Sequence, residues 1–272
     1  MKRSQLILIA IGILAVFALY SLPKIVVENE SNIAEMGGQA QSQSPDAVEM
    51  HEAELSSDQE ESRAQLQQVL EKSSSKEDKA KAAEELAKLY VDLGKFDSAA
   101  YYLGEIANQS QELQDLEKAG EAYYEAFSFA LDPEKVSYTA EQTRSYLNQV
   151  LENDPTRLDL KTKVAMTYVS SSNPMQGITM MREILEEDPQ NEDGLFNMGV
   201  LSMQSGQYKR ATERFEELIK YHPGNLQGQF YLGVSYFEAK QKNKAKAQFE
   251  EVKKMTQDPM ILSSIQSYLD QL

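Results

Sequence analysis

Few residues of this chain have both the type and the spacing that chemistry requires. His51 and Glu52 begin a zinc-protease motif, but the second histidine is missing because the segment reads HEAEL. Gly94-Lys95 lacks the upstream glycine of a phosphate-binding loop, and the acidic pair Glu216-Glu217 has the spacing of an ordinary helix surface. We therefore expect no enzyme, no cofactor and no metal, with catalysis at an unrecognised site as the remaining alternative.

The composition excludes several other classes of protein. The 272 residues include no Cys and only two His, so a disulfide framework, a thiolate metal site and a Cys nucleophile are all ruled out. The formal net charge is −16, from 27 basic and 43 acidic side chains. Because such a chain repels a phosphate backbone, we expect no nucleic acid partner.

The charge divides the chain into three parts. Residues 1–24 contain three basic and no acidic side chains, and the run 6–22 contains no charge. In a helix these 17 residues would span about 25 Å, the short end of what a bilayer requires. We predict a signal-anchor or transmembrane helix over 1–24, with membrane contact through 6–22. A cleaved secretory signal is the alternative, but the run ends without an Ala-x-Ala site.

The basic residues Lys2 and Arg3 precede the uncharged run, which predicts a cytoplasmic N-terminus. The localisation predicted is a single-pass membrane protein whose remaining domain is extracytoplasmic, periplasmic in a bacterium. Residues 25–57 are rich in Glu, Gln, Ser and Gly, and are expected to form an acidic flexible linker because they bury too little apolar surface to fold. From residue 58 onward the apolar residues have helical spacing, which predicts an all-α domain over 58–272.

A period of about 34 residues runs through this domain. Pro155, Pro189 and Pro223 recur with this spacing. Small and large apolar residues keep the same step in three further sets: Ala165, Gly199 and Gly233; Gly177, Ala211 and Ala245; Met181, Phe215 and Phe249. Such a period indicates helix pairs that bury their apolar faces only by stacking on one another.

The units resemble the tetratricopeptide repeat (TPR) family. The clearest unit contains Leu195, Met198-Gly199, Gly206-Gln207-Tyr208, Ala211, Phe215 and Pro223. The resemblance implies a right-handed α-solenoid of about five helix pairs with a C-terminal capping helix. The pairs are expected near 80–113, 114–157, 158–191, 192–225 and 226–259, and the cap over 260–272. The second unit is about ten residues too long, and we place the excess near Leu131-Asp132-Pro133.

The resemblance also implies a concave groove, lined by the first helix of each pair, that accepts an extended or helical peptide. The groove-facing positions of the repeat register form an apolar strip with one amide: Met166, Val169, Phe196, Asn197, Val200, Met203, Phe230, Tyr231, Val234 and Phe237. The alternative for each of these residues is packing between helices. A clamp for a terminal carboxylate needs Lys or Arg on this face, and that subclass is not indicated because the positions hold Val200, Gln204, Val234 and Glu238.

Two functions follow from this strip. In the first, the chain is a membrane-anchored scaffold or accessory chaperone that binds an apolar peptide segment of an envelope partner. In the second, it is a structural protein that forms a homo-oligomer by closing the groove or a solenoid end on its own copy. The lysines between Lys240 and Lys254 are expected to be a solvated face rather than an anionic site.

Overall fold

A computed structural model describes residues 55–272 of the chain. The chain divides into two units, residues 1–47 and 48–272, and the described residues lie in the second. The predicted span over 6–22 and all but the end of the predicted linker therefore lie outside the described residues, and the domain limits at 24 and 57 stay predictions.

Residues 55–272 contain twelve α-helices and no strand, which confirms the predicted all-α class. The helices are α1 (Ser57–Lys72), α2 (Lys76–Asp92), α3 (Phe96–Ser110), α4 (Leu113–Phe129), α5 (Pro133–Asn153), α6 (Leu158–Val169), α7 (Pro174–Glu187), α8 (Glu192–Gln204), α9 (Tyr208–Tyr221), α10 (Leu226–Glu238), α11 (Lys242–Met255) and α12 (Pro259–Asp270).

The helices pack in the order in which the chain presents them. Each helix makes its main contacts with the one before and the one after it, and α4, α6, α8 and α10 also touch in sequence. Helices α2, α4, α6, α8 and α10 are thus the first helices of five pairs, and α3, α5, α7, α9 and α11 are the second helices. Contacts confined to neighbours are what a solenoid of stacked helix pairs requires.

The helix starts are set by local capping side chains that recur with the period. Asn191 and Asn225, one period apart, accept hydrogen bonds from the backbone N–H groups of Gly194 and Gly228. These bonds satisfy N–H groups at the starts of α8 and α10 that have no partner within their own helix. The same sequence signal therefore fixes the start of the first helix in two successive pairs.

Small residues on the first helices face large ones on the second. A Cβ atom on Gly199 would lie 2.6 Å from the ring of Phe215, and one on Gly233 would lie 2.7 Å from the ring of Phe249. Both rings are fully buried. Close approach of the two helices of a pair therefore depends on the absence of a side chain at these glycines, as the repeat pattern predicts.

The second pair is longer than the others, but not where the sequence suggested. Its helices α4 and α5 have 17 and 21 residues, against 13 and 14 in the fourth pair. The connection between them, residues 130–132, is as short as the connection 205–207 in the fourth pair. The excess is therefore two longer helices rather than an insertion near Leu131-Asp132-Pro133.

The predicted localisation as a single-pass membrane protein is contradicted. Within residues 55–272 no helix combines the length and the apolar character that crossing a membrane requires. The longest, α5, contains charged side chains along its whole length, among them Glu134, Glu141, Arg144 and Glu152. Burying those charges in a bilayer would cost more than its apolar residues recover.

Candidate peptide-binding face

The ten residues predicted to line a groove all lie on first helices. Met166 and Val169 are on α6, four are on α8 (Phe196, Asn197, Val200, Met203) and four are on α10 (Phe230, Tyr231, Val234, Phe237). Nine of the ten are half-buried, and Val234 is buried. The structure therefore presents most of the strip as partly accessible surface.

The rings of this strip form a continuous series of contacts, which we call the aromatic ladder: Phe196, Tyr231, Phe230, Tyr268 and Phe237. Phe196 of α8 meets Tyr231 of α10 edge to face, with centroids 5.8 Å apart. Tyr231 adjoins Phe230 at 5.7 Å, and Tyr268 of α12 meets Phe230 at 6.2 Å and Phe237 at 5.2 Å. Contacts of this geometry stabilise the rings beyond the burial of their area.

Fully buried rings on the second helices hold the ladder in place. Phe215 of α9 stacks on Tyr231 at 6.0 Å, and Phe249 of α11 stacks on Tyr268 at 5.2 Å. Phe215 and Phe249 expose none of their surface, whereas every ladder ring keeps part of its surface accessible. The second-helix rings are therefore core, and the ladder is a partly open surface resting on that core.

Three predicted residues outside the ladder also pack against neighbouring helices. A Cβ on Gly177 of α7 would lie 2.8 Å from Cγ2 of Val169, so Val169 packs against the second helix of its own pair. Met166 packs on the small cluster that includes Met181 and Ile184, and Val234 is part of the C-terminal core. Val234 is thereby buried, whereas Met166 and Val169 keep part of their surface accessible, as the ladder rings do.

The side chain of Asn197 forms one hydrogen bond within its own helix. Its Nδ2 donates a hydrogen bond of 2.9 Å to the carbonyl oxygen of Asp193, one turn earlier. Within residues 55–272 no group donates to its Oδ1. This oxygen is thus the part of the amide that can accept a backbone N–H from a bound peptide.

The first helices of pairs one to three differ from those of pairs four and five in how they are joined to one another. Lys118 of α4 pairs with Glu84 of α2 at 2.9 Å, Arg157 at the start of α6 pairs with Glu117 of α4 at 2.6 Å, and Lys163 pairs with Glu121. The first helices of pairs one to three are therefore joined by ion pairs. Those of pairs four and five, together with α12, are joined by the aromatic ladder.

Two tyrosines of this surface were not predicted. Tyr268 lies in the cap predicted over 260–272, one period after Val234, and it completes the ladder from α12. Tyr124 of α4 is half-buried, and burial followed by the nearby carboxylate of Asp193 raises its pKa. The proximity of α4 to the start of α8 had no sequence signal, because it depends on how three pairs stack.

The lysines of α11 are largely satisfied within the domain. Lys244 pairs with Glu216 at 3.4 Å and Lys254 with Glu251 at 2.6 Å, while Lys242 donates to the carbonyl oxygen of Leu272. These contacts favour the solvated face over the anionic site. In residues 55–272 there is also no group of three or more His, Asp or Glu side chains arranged to hold a metal ion.

Comparisons with known proteins agree with this architecture. The family model of the tetratricopeptide repeat matches residues 202–265. A tetratricopeptide repeat protein from Parabacteroides merdae ATCC 43184 is similar in structure, with a TM-score of 0.56 and 16% identity over 77% of this chain and 78% of that chain. TTC0263, a thermophilic TPR protein in Thermus thermophilus, has a TM-score of 0.51 and 12% identity over 70% of this chain and 98% of that chain. No curated protein matches the sequence at a significant level.

The family match over residues 202–265 and the two similar folds support tetratricopeptide-type repeats in this chain. At these identities the solved structures show the fold alone. The partner must therefore be inferred from the residues of this chain.

Proposed function

We propose that the chain is a scaffold or accessory module that binds a peptide segment of a partner protein on the aromatic ladder. The observation that carries this proposal is a difference in exposure: Phe215 and Phe249 are completely buried, while Phe196 and Phe230, one helix away, keep part of their surface accessible. Partly open rings that form a row on one face leave a contiguous apolar strip accessible, and such a strip favours a ligand.

The chemistry of the ladder selects the ligand. Aromatic edges and faces, with Val200 and Met203 beside them, favour a segment with aliphatic or aromatic side chains. The Oδ1 atom of Asn197 supplies a polar acceptor for the backbone of that segment. Ion pairs rather than rings join the first helices of pairs one to three, so the binding segment is expected to cover pairs four and five and α12.

The experiment compares two double variants of the full chain in capture of partners from a lysate of the source cells. Phe196→Ala with Phe230→Ala truncates the ladder, and Phe129→Ala with Tyr221→Ala is the control, because both of its rings are exposed and outside the ladder. Truncating two anchor rings should weaken binding at least about 30-fold, the equivalent of about 2 kcal/mol. The control should bind like the wild type, and equal binding by both double variants would contradict the proposal.

Self-association through the ladder is the other outcome of the same experiment. If the captured protein is a second copy of the chain, sedimentation of the wild type will depend on concentration. The Phe196→Ala, Phe230→Ala variant will then sediment as a monomer at every concentration. In that case the ladder is still the binding surface, and the function is that of a homo-oligomeric structural protein.

A further inference from the structure

A cleft of about 620 Å³ lies at the other end of the described domain, far along the chain from the ladder. It is lined by α1, α2, α3 and the first turn of α4. Ala80 and Ala83 of α2 and Ile106 of α3 supply its apolar lining. None of the ten predicted groove residues takes part in it.

The repeat register allows the cleft to be compared with the fourth pair. Gly94 follows α2 and Gly206 follows α8, and both have the same left-handed φ of 70°. These matching turns place α2 and α8 in the same repeat register, so their positions can be compared residue by residue. In this alignment Ala83 occupies the position of Leu195, which is completely buried in the fourth pair. The methyl group of Ala83 is smaller than the isobutyl group of Leu195, and the cleft lies beside it, although Ala83 itself is only 2% exposed.

Aromatic rings form one wall of the cleft. Tyr101 is 52% exposed and meets Tyr102 edge to face at 5.3 Å. Tyr102 is itself held in place, because it stacks on Tyr90 at 5.6 Å and accepts a hydrogen bond of 3.3 Å from Nε2 of Gln67. The exposed ring therefore rests on a fixed neighbour, and a ligand would meet an ordered surface.

The charges around the cleft are unbalanced. Its lining includes five carboxylates and two lysines: Glu71, Glu77, Glu105, Glu112, Asp115, Lys76 and Lys79. Glu77 pairs with Lys81 outside the cleft, and Asp115 accepts a hydrogen bond from Ser110. Across residues 55–272, Glu71, Glu105 and Glu112 form no ion pair. In the described residues Lys76 and Lys79 form no ion pair either, so the cleft keeps a modest excess of negative charge.

We propose that this cleft binds an arginine side chain of a basic peptide segment. The aliphatic stem would lie on Leu70, Ala80 and Ile106, and the guanidinium would meet the face of Tyr101 and the carboxylates of Glu71 and Glu105. A guanidinium both stacks on an aromatic ring and pairs with carboxylates, which is the combination that the lining offers. An anionic ligand would be repelled by the same carboxylates. The site is separate from the ladder, so it can fail while the proposed function holds.

The test measures fluorescence polarisation of a labelled Arg-Gly-Arg-Gly-Arg peptide on the full chain, with Glu-Gly-Glu-Gly-Glu as the probe of opposite charge. The basic peptide should bind, and added salt should weaken it because the attraction is electrostatic. Ala83→Leu fills the cleft without changing a charge and should weaken binding at least tenfold. Lys-Gly-Lys-Gly-Lys should bind more weakly than the arginine peptide.

Two further variants keep the test decisive. Tyr101→Ser removes the exposed ring, and Glu105→Gln removes one carboxylate while keeping the shape of the side chain. Each should weaken binding of the basic peptide. Circular dichroism will show whether Ala83→Leu disturbs the fold, and these two variants test the site even if it does. Phe196→Ala with Phe230→Ala should bind the basic peptide like the wild type. If Tyr101→Ser and a folded Ala83→Leu variant bind the basic peptide as strongly as the wild type does, the peptide is attracted to an acidic protein in general and the proposal is wrong. Equal binding of the acidic peptide by the wild type would also overturn the proposal.

Discussion

At the scale of single residues, Arg157 shows how this fold joins its units. Its guanidinium donates to Glu117 of α4 at 2.6 and 3.1 Å and to Asp159 of α6 at 2.7 and 2.9 Å. It thereby ties the start of the third pair to the second pair. The hydrogen bonds from Arg157 hold the pKa of Asp159 below its ordinary value of 3.8.

A depressed pKa predicts a particular dependence of stability on pH. The unfolded chain takes up a proton on Asp159 before the folded chain does, so the stabilisation is present above the ordinary pKa and is lost as pH falls through the depressed one. We expect the thermal midpoint of the wild type to fall between about pH 5 and pH 3, and that of Asp159→Asn to fall less. Melting curves followed by circular dichroism measure both.

Asp92→Asn is the matched control for this prediction, because Asp92 is exposed and forms no ion pair in the described part of the chain. It should follow the wild-type curve. If Asp159→Asn also follows the wild-type curve at every pH, the contact with Arg157 does not stabilise the fold in the way we describe.

At the scale of elements, the distance between the two helices of a pair is set by small residues. A Cβ on Gly177 of α7 would lie 2.3 Å from the carbonyl oxygen of Ala165 on α6. That oxygen belongs to the backbone and has no rotamer that avoids the clash. The sequence pattern predicted a small residue here, but the tight contact is visible only once α6 and α7 are placed side by side.

Gly177→Ala should therefore destabilise the chain. Overpacking costs about 1–3 kcal/mol, while the better helix propensity of alanine returns up to about 1 kcal/mol. We expect a lower urea midpoint in unfolding followed by circular dichroism. Gly224→Ala is the control, since a Cβ there meets nothing within 4 Å, and its midpoint should stay near that of the wild type. If the urea midpoint of Gly177→Ala is unchanged, α6 and α7 can move apart to admit the methyl group without loss of stability, and the prediction is wrong.

At the scale of the whole molecule, the repeat period predicted the architecture because a solenoid is built from contacts between chain neighbours. Glycines such as Gly199 and rings such as Phe215 mark those contacts directly in the sequence. Exposure is different, because it depends on rings from several helices: Tyr268 joins the ladder from α12, and Val234 is covered by its neighbours. The cleft beside Tyr101 is likewise lined by residues of four helices, and no motif signals such an arrangement.

The acidic side chains behind the net charge of −16 are unevenly distributed over the fold. On the first helices of pairs one to three, some of the acidic side chains form ion pairs: Glu84, Glu117 and Glu121 join neighbouring pairs in this way. The ladder beyond them is uncharged. Acidity therefore contributes to stacking and to the N-terminal cleft, and recognition of a partner on pairs four and five depends on apolar contact.

The most direct test of that claim is a photo-crosslinking comparison between two positions. A photoreactive amino acid replaces Met203, beside the ladder on α8, or Tyr221, exposed on the second helix α9. We predict that the captured partner crosslinks from position 203 and not from position 221, and that Phe196→Ala with Phe230→Ala abolishes the adduct. A partner that crosslinks only from position 221, or that is captured without an adduct at 203, would contradict binding on the aromatic ladder.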